Sequence, residues 1–261
     1  MCMTDEGIAT GDARGAMRAR LTRIGERMVS AFVWICGFCV FVPVGALAIL
    51  ASHVMHPRRF FPLTQLGCRL VLHALFIRVA VDGREWVQRG RTYLFICNHV
   101  NLFDVFVLYA HIPTYFRGIE LDEHFQWFFY GWIIRRLGMI PISQSNGRDA
   151  LRSLKSARKA IDRETSILIL PEGGRTLNGQ LQPFKKGAFL LAKKARVDIV
   201  PMAMVGAYRI NRKGSLLIRP GKMALRFGRP IAYEEIADLG IDAIAEKVRA
   251  GMLELFTPND P

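Results

Sequence analysis

The apolar positions along this chain fall into two regimes. From Met28 to Pro57 there is no Asp, Glu, Lys or Arg, and Ser30 to Ala51 is almost wholly apolar. As a helix, that run reaches roughly 33 Å, enough to cross a hydrocarbon core of roughly 30 Å. Pro43 lies inside it with Gly45 close by. The pattern therefore fits either a kinked single span or a hairpin that enters and leaves one leaflet. Arg14, Arg18, Arg20, Arg23 and Arg27 precede the run, and Arg58, Arg59, Arg69 and Arg78 follow it. Bases on both sides favour both ends facing the cytoplasm. Two other readings compete. One is a buried core helix. The other is a cleaved signal peptide, with Ala46-Leu47-Ala48 imitating a cleavage site, although the polar leader before it is long for one.

After Pro57 the spacing becomes that of a globular domain. Phe60–Phe76 carries apolar residues at helical spacing. Short apolar runs read as strands: Ile77–Val81, Tyr93–Cys97, Ile167–Leu170, Ile199–Val205 and Met223–Phe227. Helical patterns fall between several of them, at Phe103–Ala110, Leu121–Leu137, Arg148–Arg163, Phe184–Ala195 and Ile241–Phe256. Alternating strands and helices predict an α/β fold, a mostly parallel sheet flanked by helices, with an N-terminal membrane-embedded helical segment. The expected organisation is a polar basic leader over 1–27, a membrane segment over 28–57 and one catalytic-sized domain over 58–261.

Composition narrows the class. The chain has 261 residues, 51% of them hydrophobic, and a net charge of +14. Disordered chains lack this apolar content, and five Cys are too few for a disulfide scaffold. The basic balance leaves nucleic acid or an anionic membrane as a large partner. Much of it is concentrated between Lys185 and Arg229, where twelve Lys or Arg face one acid, Asp198.

Three segments carry candidate chemistry. Asn98-His99-Val100-Asn101-Leu102-Phe103-Asp104 follows a predicted strand and opens a predicted helix. Sites in α/β proteins gather where strands end. A neutral His99 can take a proton from an alcohol, and Asp104, five residues on, can fold back to orient it. The plain alternative is a helix-capping Asp104 and an ordinary loop histidine. Leu170-Pro171-Glu172-Gly173-Gly174-Arg175-Thr176 also ends a strand. Its glycines allow close backbone approach, and Arg175 offers a planar donor fork for phosphate. Lys185 and Lys186 open a helix and make an anion site there, or simply a solvated face. Cys36 and Cys39 lack a second ligand pair for zinc. Cys97 as a nucleophile and His111 as a metal partner of His99 are conceivable, but each has a simpler reading as core or loop.

Taken in order, these segments resemble the glycerolipid acyltransferase family, and most of all its 1-acylglycerol-3-phosphate acyltransferases. The family's four blocks are H-x4-D, a G-x-I-F-I-D-R type strand, F-P-E-G-T-R-S and a V-P-V/I strand. Here they are His99 to Asp104, Gly138-Met139-Ile140-Pro141-Ile142-Ser143-Gln144, Leu170–Thr176 and Ile199-Val200-Pro201-Met202-Ala203. The resemblance covers roughly residues 65–235. It implies that His99, oriented by Asp104, deprotonates an acceptor hydroxyl, which attacks an acyl thioester carried by CoA or acyl-carrier protein. It also implies that Glu172, Gly173 and Arg175 position the glycerol phosphate, with Lys185 and Lys186 adding charge. No metal and no prosthetic group is implied. The catalytic domain is expected on the cytoplasmic face of a membrane, against an anionic surface, with no nucleic acid as partner.

Two positions depart from the family pattern. Gln144 stands where Arg is usual, with Arg148 nearby as a substitute, and Gly174 stands where Thr is usual. Both touch the acceptor site. A lyso-lipid of another class, such as lyso-ornithine lipid, therefore remains an alternative acceptor. A basic membrane- or nucleic-acid-binding protein without chemistry is the rival from a different class.

Overall fold

The computed structural model describes residues 6–143 and 147–257. It begins with a long helix α1 (Glu6–Val54) and a second helix α2 (Pro57–Ala74). The domain that follows runs β1 (Ile77–Asp82), β2 (Tyr93–Cys97), α3 (Asp104–His111), β3 (Phe116–Leu121), α4 (Tyr130–Arg136), β4 (Ile140–Ile142) and α5 (Gly147–Ile161). It continues with β5 (Ser166–Ile169), α6 (Gly187–Ala195), β6 (Asp198–Val205), α7 (Ala207–Ile210), β7 (Gly221–Phe227) and α8 (Ile241–Leu253). The seven strands form one sheet in the order β1-β7-β6-β2-β5-β3-β4. All neighbours are parallel except β6 and β7.

β2 lies at the centre, and all five of its residues are buried. Successive side chains of a strand point to opposite faces. Tyr93, Phe95 and Cys97 accordingly join the core beneath α1 to α4, while Leu94 and Ile96 join the core beneath α5, α6 and α8. Burial on both faces explains why this strand reads as an unbroken apolar run.

Two strands escape the apolar pattern. β3 reads Phe-Arg-Gly-Ile-Glu-Leu, and Arg117 and Glu120 interrupt its run. β4 is three residues long and contains Pro141. A proline has no N–H for the ladder, and β4 sits at the sheet edge, where that is tolerated. It is the strand that the second family block implies.

The helix expected over Leu121–Leu137 is broken. β3 takes Leu121, a single 3-10 turn spans Asp122–Gln126, and Phe129 turns the chain at φ 63 before α4 starts. The reversal is tight. A Cβ added to Gly131 would stand 2.5 Å from the Phe125 carbonyl oxygen. The helix expected from Phe184 starts instead at Gly187, because the Lys185 N–H donates to the Pro171 carbonyl (2.8 Å).

α1 runs without a break through Pro43. Its inner face is part of the protein core. Val33 is buried. Phe41 meets Phe106 of α3 and Phe129 edge-on, with ring centroids 5.6 Å apart in both pairs. Glycines allow the helices to close up: a Cβ on Gly67 would lie 2.5 Å from Val44 Cγ1. The outer face stays apolar and exposed, with Phe32, Ile35, Phe38, Leu47 and Leu50 on α1 and Leu63, Leu66 and Leu70 on α2. Within α1, Ala19–Val54 is long and apolar enough to cross a membrane.

Replacing a helical glycine by alanine ordinarily stabilises a helix by about 1 kcal/mol. Gly131→Ala is expected to do the opposite. Its methyl group meets backbone that cannot rotate away, and overpacking of this kind costs about 1–3 kcal/mol. A thermal melt of the detergent-solubilised variant should fall below wild type; an unchanged or raised midpoint refutes the tight reversal.

Candidate active site

The site begins where β2 leaves the sheet. Asn98 fixes the exit: its Nδ2 donates to the Met204 carbonyl (3.0 Å), and its Oδ1 accepts from the Met204 N–H (2.7 Å). Asn101 ties the next turn to α7 through Nδ2 and the Ala207 carbonyl (2.8 Å), and its Oδ1 accepts from the Phe103 N–H (2.8 Å). Neither asparagine stood out as a site residue by sequence. Their signal is the spacing Asn-His-x-Asn around His99, since a side-chain amide both donates to and accepts from backbone.

Asp104 starts α3 and turns its carboxylate back over this loop. Oδ2 accepts from His99 Nδ1 (2.8 Å) and from the Val100 N–H (2.7 Å), and Oδ1 accepts from the Asn101 N–H (3.1 Å). A carboxylate can only accept, so the proton between the two side chains is on Nδ1. In the neutral imidazole the other ring nitrogen, Nε2, is then the acceptor. The Asp104 side chain is 2% exposed and that of His99 27%. A buried carboxylate thus orients a half-buried imidazole.

The Pro171–Thr176 loop is laid against the same histidine. Glu172 Oε1 accepts from the His99 N–H (2.6 Å), Oε2 accepts from the Gln182 N–H (2.8 Å), and the Thr176 N–H donates to the His99 carbonyl (2.9 Å). Burial raises the Glu172 carboxyl above its usual range, against the pull of those two N–H groups. Both Glu172 oxygens are therefore engaged in holding the loops together. Gly173 has φ +69, and a Cβ there would collide with Lys185 Cε, so the lysine crosses directly over the glycine. Arg175 is half-buried in the same loop.

His99, Asp104, Glu172, Gly173, Arg175 and Lys185 are thus gathered at one place. Lys186 is not aimed there: its Nζ lies 2.7 Å from Asp242 Oδ1 of α8. Gln144 falls outside the described residues, as does the side chain of Arg148, whose backbone lies in α5. The Cys97 thiol is buried and donates to Asn98 Oδ1 (3.6 Å); burial pushes it well above the usual thiol range. It stays protonated and is a poor nucleophile. His111, at the end of α3, is held down to about 4 by burial and by the Arg69 and Arg84 charges. Among the described residues no group of three or more His, Cys, Asp or Glu is placed to hold a metal ion.

Beside the site, α1, α2, α3 and α4 line an open apolar cavity of about 150 Å³. Its wall includes Phe41, Gly45, Thr64, Val105 and Phe106, the last two following Asp104 directly in the chain.

Residues 78–205, from β1 to the end of β6, match the family described as Acyltransferase. These residues form an acyltransferase-family domain. A 1-acyl-sn-glycerol-3-phosphate acyltransferase of Cocos nucifera is 31% identical over 183 residues, covering 70% of this chain and 59% of that protein. The alpha enzyme of the same name from Mus musculus is 29% identical over 193 residues, 72% of this chain and 67% of its own. The chain thus spans about six-tenths of the length of its coconut relative. The crystal structure of PlsC, the 1-acyl-sn-glycerophosphate acyltransferase of Thermotoga maritima, superposes with a TM-score of 0.76 at 22% identity. It covers 89% of this chain and 97% of that one, so the α1–α2 pair and the acyltransferase-family domain share a known fold.

Asp104→Asn leaves one side-chain oxygen to serve the donors that two now serve, and turns an amide N–H toward backbone N–H groups. A buried donor left unsatisfied costs about 1–3 kcal/mol. The variant should melt lower, and imidazole nitrogen NMR should show that His99 no longer holds its proton on Nδ1 alone. An unchanged Nδ1–H signal contradicts this geometry.

Proposed function

We propose that this protein transfers an acyl chain from an acyl thioester to the free hydroxyl of a lysophospholipid, with 1-acylglycerol-3-phosphate as acceptor and phosphatidic acid as product. The observation that carries this reading is the His99–Asp104 pair, hydrogen-bonded through its backbone to the loop that carries Arg175. His99 Nε2 takes the acceptor's hydroxyl proton. The oxygen attacks the thioester carbonyl carbon, an ester bond forms, and the carbon–sulfur bond breaks. The imidazolium, steadied by Asp104, returns its proton to the departing thiolate. Attack is direct, with Cys97 confined to packing. The thioester comes from acyl-CoA or acyl-carrier protein, and the reaction needs no further cofactor. Arg175 and Lys185 attract the acceptor's phosphate. The cavity between α1 and α4 receives acyl carbons.

The membrane is part of the proposal. α1 packs on the domain along the length of its apolar run, from Ser30 to Gly45. That arrangement favours a hairpin of α1 and α2 set into one leaflet over a free span. Their exposed apolar faces lie in lipid, and the bases between Lys185 and Arg229 lie toward anionic headgroups. Thioester donors are made in the cytosol, so the active site faces that side.

The test is the purified full-length protein with one labelled acyl-CoA and a panel of lyso-lipid acceptors. Phosphatidic acid is the expected product. Turnover confined to a lyso-lipid without phosphate, such as lyso-ornithine lipid, overturns the acceptor assignment. His99→Ala should lose about 10²–10⁴-fold or more of the rate, the usual worth of a general base. Near-normal turnover in that variant refutes the mechanism. Cys97→Ser should keep substantial activity; an inactive, folded Cys97→Ser together with an acyl-enzyme trapped from wild type would establish a covalent route instead.

A further inference from the structure

The loop between α7 and β7 brings another cation to the site. It is braced from within: Asn211 Nδ2 donates to the Ser215 carbonyl (2.9 Å) and to the Leu217 carbonyl (3.1 Å). It is also held by α1. Ser30 Oγ accepts from the Ile218 N–H (2.9 Å), and Trp34 Nε1 donates to the Leu216 carbonyl (2.8 Å). Gly214, at φ +82, turns the chain just after Lys213. From this fixed platform Lys213 Nζ reaches to 3.9 Å from the point where a Cβ on Gly174 would stand. Lys185 Nζ stands 2.5 Å from the equivalent point on Gly173. Consecutive α-carbons are about 3.8 Å apart. Two ammonium groups from distant parts of the chain therefore stand beside one two-glycine turn, and Arg175 follows it directly.

Several surface cations have carboxylate partners. Lys186 pairs with Asp242, Arg91 with Asp198, Lys247 with Glu235 and Arg219 with Glu26. Among the described residues Arg175, Lys185 and Lys213 pair with no carboxylate. The neighbouring Glu172 is already bonded through both oxygens. Like charges gathered this way repel one another unless an anion joins them. A phosphomonoester carries about −1.5 to −2 charge at pH 7 and three acceptor oxygens, one for each cation.

We infer that Lys213 is a specificity-determining residue that completes, with Arg175 and Lys185, a cradle for a phosphomonoester over Gly173 and Gly174. The inference rests on the acyl-transfer reading above. In that reaction a phosphomonoester comes either from the lysophosphatidic acid acceptor or from the ribose of CoA.

The experiment measures KM separately for lysophosphatidic acid and for acyl-CoA, with acyl-dephospho-CoA as a second donor, using full-length protein in mixed micelles. Loss of one charge-assisted hydrogen bond in Lys213→Ala should raise one of the two KM values about tenfold, with kcat changed far less. A rise for lysophosphatidic acid alone assigns the cradle to the acceptor. A rise for acyl-CoA that disappears with acyl-dephospho-CoA assigns it to the donor. Lys213→Arg, which keeps the charge, should restore most of the lost affinity. Arg212→Ala removes the same charge from the same loop. Its guanidinium lies over the Tyr208 ring, 5.0 Å from the centroid, rather than over the glycines. Both KM values should stay within about twofold of wild type, as for an exposed charge without a ligand. If Lys213→Ala leaves both KM values unchanged while wild type turns over, the inference falls alone. If Arg212→Ala matches Lys213→Ala, the effect is one of general surface charge and the inference falls as well. If wild type transfers no acyl chain to any lyso-lipid, the functional reading falls and takes this inference with it.

Discussion

A carboxylate shut away from water must find hydrogen-bond donors or lose its charge. Asp104 finds them in the chain just before it, and that need shapes the loop. The backbone from His99 to Asn101 curls so that two successive N–H groups point at one side chain, and the histidine ring closes the circle. Asn98 and Asn101 hold the outside of the curl to β6 and α7. Glu172 repeats the arrangement from the other side, binding the backbone of His99 to that of Gln182. His99 is therefore positioned by two acids, one on its ring and one on its backbone.

The sheet supplies the rigid edge from which this loop departs. β2 is paired on both sides and covered on both faces, so its end has little freedom. The two faces differ in what covers them. α5, α6 and α8 carry charged side chains on their outer faces, among them Lys155, Lys159, Lys194 and Asp242. α1 and α2, with α3 and α4 behind them, present apolar surface outward as well as inward. The His99–Asp104 loop leaves the sheet where these two faces meet.

Much of this was legible in the sequence where the governing contacts are local. The five-residue span between His99 and Asp104, the buried run of β2 and the amphipathic helices all follow from periodicity and turn chemistry. What was hidden depends on partners far away in the chain. Lys185 and Lys186 are adjacent and identical in type, yet Asp242 takes one and leaves the other over Gly173. Glu172 reads as a ligand-binding acid, but its partners are backbone amides that no sequence pattern marks. β3 was concealed by Arg117 and Glu120, and the break before α4 is enforced by the contact between Gly131 and the Phe125 carbonyl. Lys213 carries no local signal either, since only the fold brings its loop to Gly174.

The hydrogen bonds from Ser30 and Trp34 to the Leu216–Ile218 backbone bear on how such a chain can evolve. An anchor joined by a linker is modular: it can be exchanged for any other greasy helix, and the enzyme behind it does not notice. α1 is not interchangeable in that way. It is a wall of the interior, a brace for the Leu216–Ile218 loop and an exposed apolar face at once. The residues around its circumference answer to different demands, an outward apolar surface on one side and a particular set of side chains on the other. Recombination could not graft a foreign anchor here without rebuilding the interior it covers.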